Sequence, residues 1–278
     1  MPIKRELDGM NGLKSHIRLA SPGTDLYRQG DLCPNYFLVI DGWVALSVVL
    51  DDGSCQILDF VLPGTLLGFQ SDPDAHLYHS ARCLSFVRVC RYPRQDFDAV
   101  IAANPRLALL LSRQAASSEA RVHAHLVNVG LRSARERIAH LLLELYLRAH
   151  RRPPTKPGDV LHLPVTQSHV GQAVGLTAIH VSRTLTLLRE QRVVHLANHV
   201  LTVLDPVALI GIAGTNIGAC DILVAPLATP DIRSFGSRVM DHTGHSATRF
   251  HSTAAIGWSV DPNPVSSPQR RLHRAYRS

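Results

Sequence analysis

Short apolar runs punctuated by turn residues fill the chain from about residue 22 to residue 94. Residues 36–40 (YFLVI) run into Asp41 and Gly42, and residues 43–50 (WVALSVVL) into Asp51, Asp52 and Gly53. Residues 56–62 (QILDFVL) run into Pro63 and Gly64, and residues 85–92 (SFVRVCRY) into Pro93. An Asp-Gly step between β-prone runs favours a hairpin, because the turn needs the positive φ that glycine adopts without strain. Several such segments at regular spacing predict a closed barrel or sandwich. Beyond Pro93 the apolar period lengthens to that of a helix. Residues 94–102 predict a short helix, and Asn104-Pro105 opens a longer one to about Val129, with proline at its first helical position. Along it Ala108, Leu111, Ala115, Ser118, Val122, His125 and Val129 recur at spacings of three and four, a heptad-like seam suited to pairing with a second copy. Gly130 is expected to interrupt. A further helix spans about 133–150, with Ile138, Leu141, Leu142, Leu145 and Tyr146 on one face, and residues 151–159 carry too much proline and glycine to be anything but a loop.

Residues 166–190 carry the candidate chemistry. Thr166 can cap a short helix with Val170 and Ala173 on its inner face, and Gly175 supplies a tight turn. Thr177 then caps a second helix whose Val181, Leu185 and Leu188 form a buried stripe. That leaves Ala178, Ile179, His180, Ser182 and Arg183 outward. Residues 193–196 and 200–204 flank Ala197, Asn198 and His199 as a compact hairpin. In a helix-turn-helix, the outward positions enter the major groove. Arg183 can pair bidentately with guanine or clamp a phosphate, Ser182 and His180 can hydrogen-bond, and Ala178 and Ile179 can touch a thymine methyl. Gln167 and Ser168, at the start of the first helix, complete the set.

Charge changes the picture. The net charge is +7, but residues 1–130 hold 12 Lys and Arg against 13 Asp and Glu, whereas residues 131–214 hold 10 against 5. The excess lies where the two capped helices lie, and it suits double-stranded DNA. Cys33, Cys55, Cys83, Cys90 and Cys220 form no C-x-x-C pair, which argues against a disulfide framework, a zinc knuckle or a cysteine-bound iron–sulfur cluster. His76, His79 and Cys83 match no strong ligand spacing, and Asp51, Asp52, Asp72 and Asp74 sit in turn sequence without a partner base. No metal, cofactor or enzymatic activity is expected. Apolar runs are too short to cross a bilayer, and the first residues lack the apolar core of a signal peptide, so a cytoplasmic protein with no membrane partner is expected.

Residues 166–190, the following hairpin and Asp205-Pro206 resemble the DNA-binding domain of the Crp/Fnr family of bacterial regulators. Residues 27–31 (YRQGD), 36–46 (YFLVIDGWVAL) and 63–68 (PGTLLG) resemble that family's cyclic-nucleotide-binding-type barrel. The resemblance covers roughly residues 15–214. It implies an α+β fold: a jelly-roll-like barrel over 15–102, a dimerisation helix over 103–130 and a winged helix-turn-helix over 131–214. It further implies a homodimer on a palindromic operator, contact with RNA polymerase, and control by an effector bound around Gly64, Leu66, Gly68, Phe69, His79, Ser80 and Ala81. Members that bind cyclic AMP hold the ribose with a glutamate, which aligns with Phe69, and the phosphate with an arginine, which aligns with His79. A phenylalanine cannot accept those hydroxyl bonds, and a histidine carries only a conditional charge. The family's frequent acidic base-reader falls on Ile179, which removes an acceptor for cytosine N4.

Residues 215–278 are rich in Gly, Pro, Ser, Thr, Arg and His without sustained periodicity, a composition that predicts a disordered tail. A chain ending at Gly214 is expected to keep both dimerisation and operator binding. Loss of either, read by sedimentation and gel shift, would overturn this view of the tail.

Overall fold

The computed structural model describes residues 2–8, 16–70, 72 and 74–214. The predicted tail therefore lies outside the described residues. Helix α1 (Pro2–Asp8) precedes eight strands: β1 (His16–Ala20), β2 (Asp25–Tyr27), β3 (Asn35–Asp41), β4 (Val44–Val49), β5 (Cys55–Val61), β6 (Leu66–Leu67), β7 (Ser80–Cys83) and β8 (Val87–Pro93). They form two antiparallel four-stranded sheets, ordered β1-β8-β3-β6 and β2-β7-β4-β5. The arrangement is a jelly-roll-like pair of sheets rather than a closed barrel. Tyr27, Phe37, Val39, Val61 and Val89 fill the space between them.

Strand β3 shows why its sequence does not alternate. Phe37 and Val39 point into the sheet-to-sheet core, while Tyr36 and Leu38 point the other way, against Phe97 and Leu107 of the following helices. A strand covered on both faces reads as a continuous apolar run.

Helix α2 (Arg94–Ala103) leads directly into α3 (Pro105–Leu131). The Asn104 side chain caps α3 by accepting from the Leu107 amide at 3.1 Å. Gly130 does not interrupt this helix. The break falls at Arg132, with extended φ −94° and ψ 149°, because Ser133 starts α4 (Ala134–His150) with a capping box closed by Glu136. The seam is also only half outward. Leu111 is buried against the barrel, Ser118 Oγ accepts from Arg121, and the mostly apolar stripe left exposed is rotated toward Ser112, Ala115, Glu119, Val122 and Leu126.

The described residues after α3 build a further core, which Ala45, Ile57 and Phe60 of the sheets join. After α4 come β9 (Asp159–His162), α5 (Gln167–Val174), α6 (Ala178–Glu190), β10 (Val194–Ala197), β11 (Val200–Val203) and α7 (Pro206–Ile212). Strand β9 starts at the end of the proline-rich segment expected to be loop, and it joins the hairpin as a third strand, ordered β10-β11-β9. The Asp159 carboxylate makes that possible. It accepts from the Thr155 amide at 2.9 Å and from Arg152 at 3.3 Å, pinning the loop to the strand. Among the described residues no helix is long and apolar enough to cross a membrane.

Ile138, Leu142, Leu145 and Tyr146 of α4 are fully buried, and so is most of His140. Burial, and then the charge of Arg132, hold the His140 imidazole down at about 4, against a hydrogen bond with the Ala213 backbone. The folded pKa lies below the ordinary value of about 6.5, so the unfolded chain takes up the proton first as pH falls. The associated stability is complete above about pH 6.5 and lost as pH drops toward 4, amounting to roughly 3 kcal/mol at most. Denaturant titrations of the wild type and His140→Gln should therefore converge on acidification. A constant difference from pH 7 to pH 4 would refute the assignment.

Candidate nucleic-acid interface

Two capped helices set the geometry. Thr166 Oγ1 accepts from the His169 amide at 3.2 Å, and the Thr166 amide donates to His169 Nδ1 at 3.2 Å. The imidazole thus serves as the reciprocal acceptor of a capping box, so its Nε2 carries the proton. Burial first, then the charges of Arg82 and His199, lower the His169 pKa, which keeps the ring in this neutral accepting form. Helix α5 ends at Gly175, with φ +68°, a left-handed cap that favours glycine. Gly171 is equally constrained, because a Cβ there would stand 2.4 Å from the Leu176 carbonyl oxygen. The two glycines let α6 cross close over α5.

Thr177 caps α6, its Oγ1 accepting from the His180 amide at 3.3 Å. Val181, Leu185 and Leu188 lie inward, at no more than 7% exposure, while Ile179 is 67% exposed. Thr177, Ala178, His180 and Arg183 are exposed as well, and Ser182 is half-buried. A helix N-terminus directed outward carries partial positive charge and free amides, both suited to phosphate.

The structure distributes the candidate residues over two flanks of α6. Thr177, Ile179, His180 and Arg183 line one shallow groove, joined by Thr184 and Leu187. Gln167 and Ser182 line a second, toward the hairpin, joined by Arg189 and His195. Ser168 and Ala178 are exposed beside them. Arg189 and His195 are not among the residues expected from the sequence, although Arg189 stands seven residues after Ser182, two helical turns along the same face. The hairpin turns at Asn198 and His199, with φ +50° and +60°. That left-handed pair is the twist-matched geometry for a two-residue loop.

The candidate effector residues fall on both sheets. Leu66 belongs to β6 and Ser80 and Ala81 to β7, which lie in different sheets. Gly64 and Gly68 have φ +99° and +97°, and Leu66 and Ala81 are core residues. The Phe69 ring packs on Tyr36 at 5.2 Å between centroids, and Ser80 Oγ accepts from the Gln29 amide at 2.9 Å. His79 Nε2 meets the Tyr27 hydroxyl at 3.0 Å, and burial lowers the His79 pKa. Cys83 is buried, and His76 bonds the Gly30 carbonyl through Nδ1 at 2.7 Å. Among the described residues no group of three or more His, Cys, Asp or Glu could hold a metal ion.

A jelly-roll-like domain, a long helix and a winged helix-turn-helix in this order define a DNA-binding transcription regulator. Residues 17–104 match the cyclic nucleotide-binding domain model and residues 136–212 the Crp-like helix-turn-helix domain model. The chain belongs to the Crp/Fnr family. It is 30% identical over 189 residues to the nitrogen fixation regulation protein FixK of Rhizobium meliloti, covering 68% of this chain and 82% of that protein. It is 28% identical over 225 residues to the transcriptional activator protein FnrA of Stutzerimonas stutzeri, covering 80% and 90%. The structure of FixK2 from Bradyrhizobium japonicum shares the fold, with a TM-score of 0.65 at 23% identity, over 73% of this chain and 100% of that one.

Removing the Arg183 side chain should leave folding intact, because the side chain is exposed and the helix is held by its opposite face. A bidentate contact to guanine is worth about 1–3 kcal/mol of discrimination. Arg183→Ala should therefore lose about ten- to a hundredfold in affinity for a specific site while changing non-specific binding little. Competition gel shifts test this, and undiminished specific binding would sink the assigned role.

Proposed function

We propose that the protein acts as a homodimer that reads a two-half-site operator with α6, under allosteric control from its N-terminal sheets. The observation that carries this reading is the recognition helix: a capped, outward N-terminus presenting Ile179, His180, Ser182 and Arg183 within a block of net positive charge. Gln167 and Ser168 at the start of α5, with Thr177 and Ala178, complete the interface as phosphate and edge contacts.

Dimerisation through α3 is supported by the stripe that remains uncovered on that helix. Ser112, Ala115, Glu119, Val122 and Leu126 recur at spacings of three and four, and Val122 and Leu126 are 58% and 68% exposed. Large apolar side chains repeated along one exposed stripe mark an interface. Two such readers would address half-sites about 10–10.5 bp apart. RNA polymerase is the partner suggested by family membership, and the FixK and FnrA names, regulator and activator, favour a role at promoters.

A cyclic nucleotide is disfavoured as the signal. Phe69 cannot bond a ribose, and the His79 imidazole is kept from carrying charge by its burial. The signal is expected to be of another class, received around Gly64, Leu66, Gly68, Phe69, His79, Ser80 and Ala81.

Selection of bound DNA from a randomised pool, followed by sedimentation of the protein, tests the whole reading. It should yield a two-fold symmetric site and a dimer, with affinity falling steeply as salt rises, in proportion to the phosphates neutralised. Val122→Glu combined with Leu126→Glu should produce a folded monomer with at least about a hundredfold lower operator affinity. A wild-type monomer binding a single half-site at full strength would overturn it.

A further inference from the structure

Three segments of the chain converge on one carboxylate outside the DNA-reading surface. Asp59 projects from β5, its side chain 20% exposed. Its Oδ1 accepts from Arg148 Nη1 of α4 at 2.7 Å. Its Oδ2 accepts from Arg121 of α3, through Nη2 at 3.1 Å and Nε at 3.3 Å. Each arginine is fixed further on its own side. Arg148 donates to the Phe60 carbonyl at 2.5 Å and to Glu144 at 3.0 Å, and Arg121 donates to the Ser117 carbonyl at 3.0 Å and Ser118 Oγ at 2.9 Å.

The position of this junction gives it meaning. The break between α3 and α4 falls at Arg132, so Arg121 lies before it and Arg148 after it. One barrel carboxylate therefore holds both arms of the hinge. Two guanidinium groups there face two carboxylates, Asp59 of β5 and Glu144 of α4, with His125 as the remaining titratable group facing the site. The space left there is about 20 Å³, room for a water and no larger ligand. A second strut runs parallel: Gln56 of β5 donates through Nε2 to the Ala173 carbonyl of α5 at 3.1 Å. Ile57 and Phe60 of β5 also belong to the same core as α4, α5 and α6.

We infer that Asp59 is a positioning residue for DNA recognition: by bridging Arg121 and Arg148 it sets the angle between the long helix and the reader, and so the separation of two recognition helices. The inference rests on the dimeric, two-half-site reading above. None of the three residues lies among those lining the grooves beside α6, so the effect inferred for them is on orientation. Opening the hinge would leave mostly buried charges without their partners, which is costly, and the tie therefore favours one angle.

The test uses the full chain and Asp59→Asn, with Arg121→Met as a second variant whose Arg148–Asp59 pair is retained. Each is measured against a duplex with one half-site, against duplexes whose half-site spacing is stepped by single base pairs, and by amide hydrogen exchange of residues 128–136 without DNA. Half-site affinity should stay within about twofold, affinity at the best spacing should fall by about tenfold, and neighbouring spacings should be accepted almost equally. Exchange across the hinge should accelerate in both variants. An unchanged, sharp spacing preference with unchanged exchange overturns the inference, as does an equal loss on half-site and full site. If the wild type itself shows no spacing preference, the two-half-site reading fails, and the angle-setting role falls unless hinge exchange still accelerates in the variants.

Discussion

Helix α4 is the constraint on which the C-terminal half depends. Every residue from Ile138 to Leu147 is buried, so this helix has no solvent face over nearly three turns and must be surrounded. Helices α5, α6 and α7 cover it from the chain's own C-terminal side, and Ile57 and Phe60 of β5 cover it from the other. The two residues of that run that could carry charge near neutral pH have partners: His140 at the Ala213 backbone and Glu144 on Arg148. Burial raises the Glu144 pKa, and Arg148 works against it. For Asp59 burial acts in the same sense but is outweighed by Arg148 and Arg121, which together hold its pKa down. Replacing water around such groups is tolerable only because each charge meets its opposite.

This wrapping decides which side of the reader is free. With α4 occupying the inner face of α6 through Val181, Leu185 and Leu188, the opposite face must be the one presented outward. Thr177 and Thr166 then fix where each helix begins, and Gly171 and Gly175 fix how closely the two cross. The interface is thus a consequence of packing before it is a set of contacts. That order matters for function, because a base-reading side chain is useful only if the backbone beneath it is held to within a fraction of an ångström.

Much of this was legible in local sequence, and the exceptions share a cause. The caps at Thr166 and Thr177, the turn at Gly175 and the stripe Val181–Leu185–Leu188 are local devices with countable spacings. The end of α3 was legible too, in Ser133 and Glu136, a capping box that outranks Gly130 as a signal. Strand β9 was hidden because a four-residue strand beside Pro157 and Gly158 has no period of its own; only pairing with β11 makes it a strand. The outward rotation of the α3 stripe was hidden for the same reason, since Leu111 turns inward toward a barrel that the helix sequence does not mention. The Asp59 bridges span 62 and 89 residues, beyond any local pattern. Nothing in residues 56–62 distinguishes that aspartate from an ordinary outward strand position.

In the N-terminal sheets the Gly64–Gly68 turn is tied to the following helix by side chains of the fold itself. The turn from Gly64 to Gly68 has left-handed glycines at both ends, and the residue after it, Phe69, is an aromatic left 44% exposed. Its ring lies on Tyr36, whose hydroxyl donates to Asp98 of α2 at 2.8 Å. The buried Arg94 guanidinium, at the start of α2, reaches the Gly68 carbonyl at 2.5 Å, Gln70 at 2.9 Å and the Cys33 carbonyl at 3.0 Å, and stacks over the Tyr36 ring at 4.5 Å. The turn is therefore tied to the helix that leads into α3 by Arg94 directly, and by Asp98 through Tyr36. Any event that moved the Gly64–Gln70 segment would pull on Arg94, hence on α2 and the start of α3. The other end of α3 answers to Asp59 on β5, in the opposite sheet. The sheets thus hold α3 at both ends, and on β5 Asp59 also reaches Arg148 beyond the break while Gln56 reaches α5.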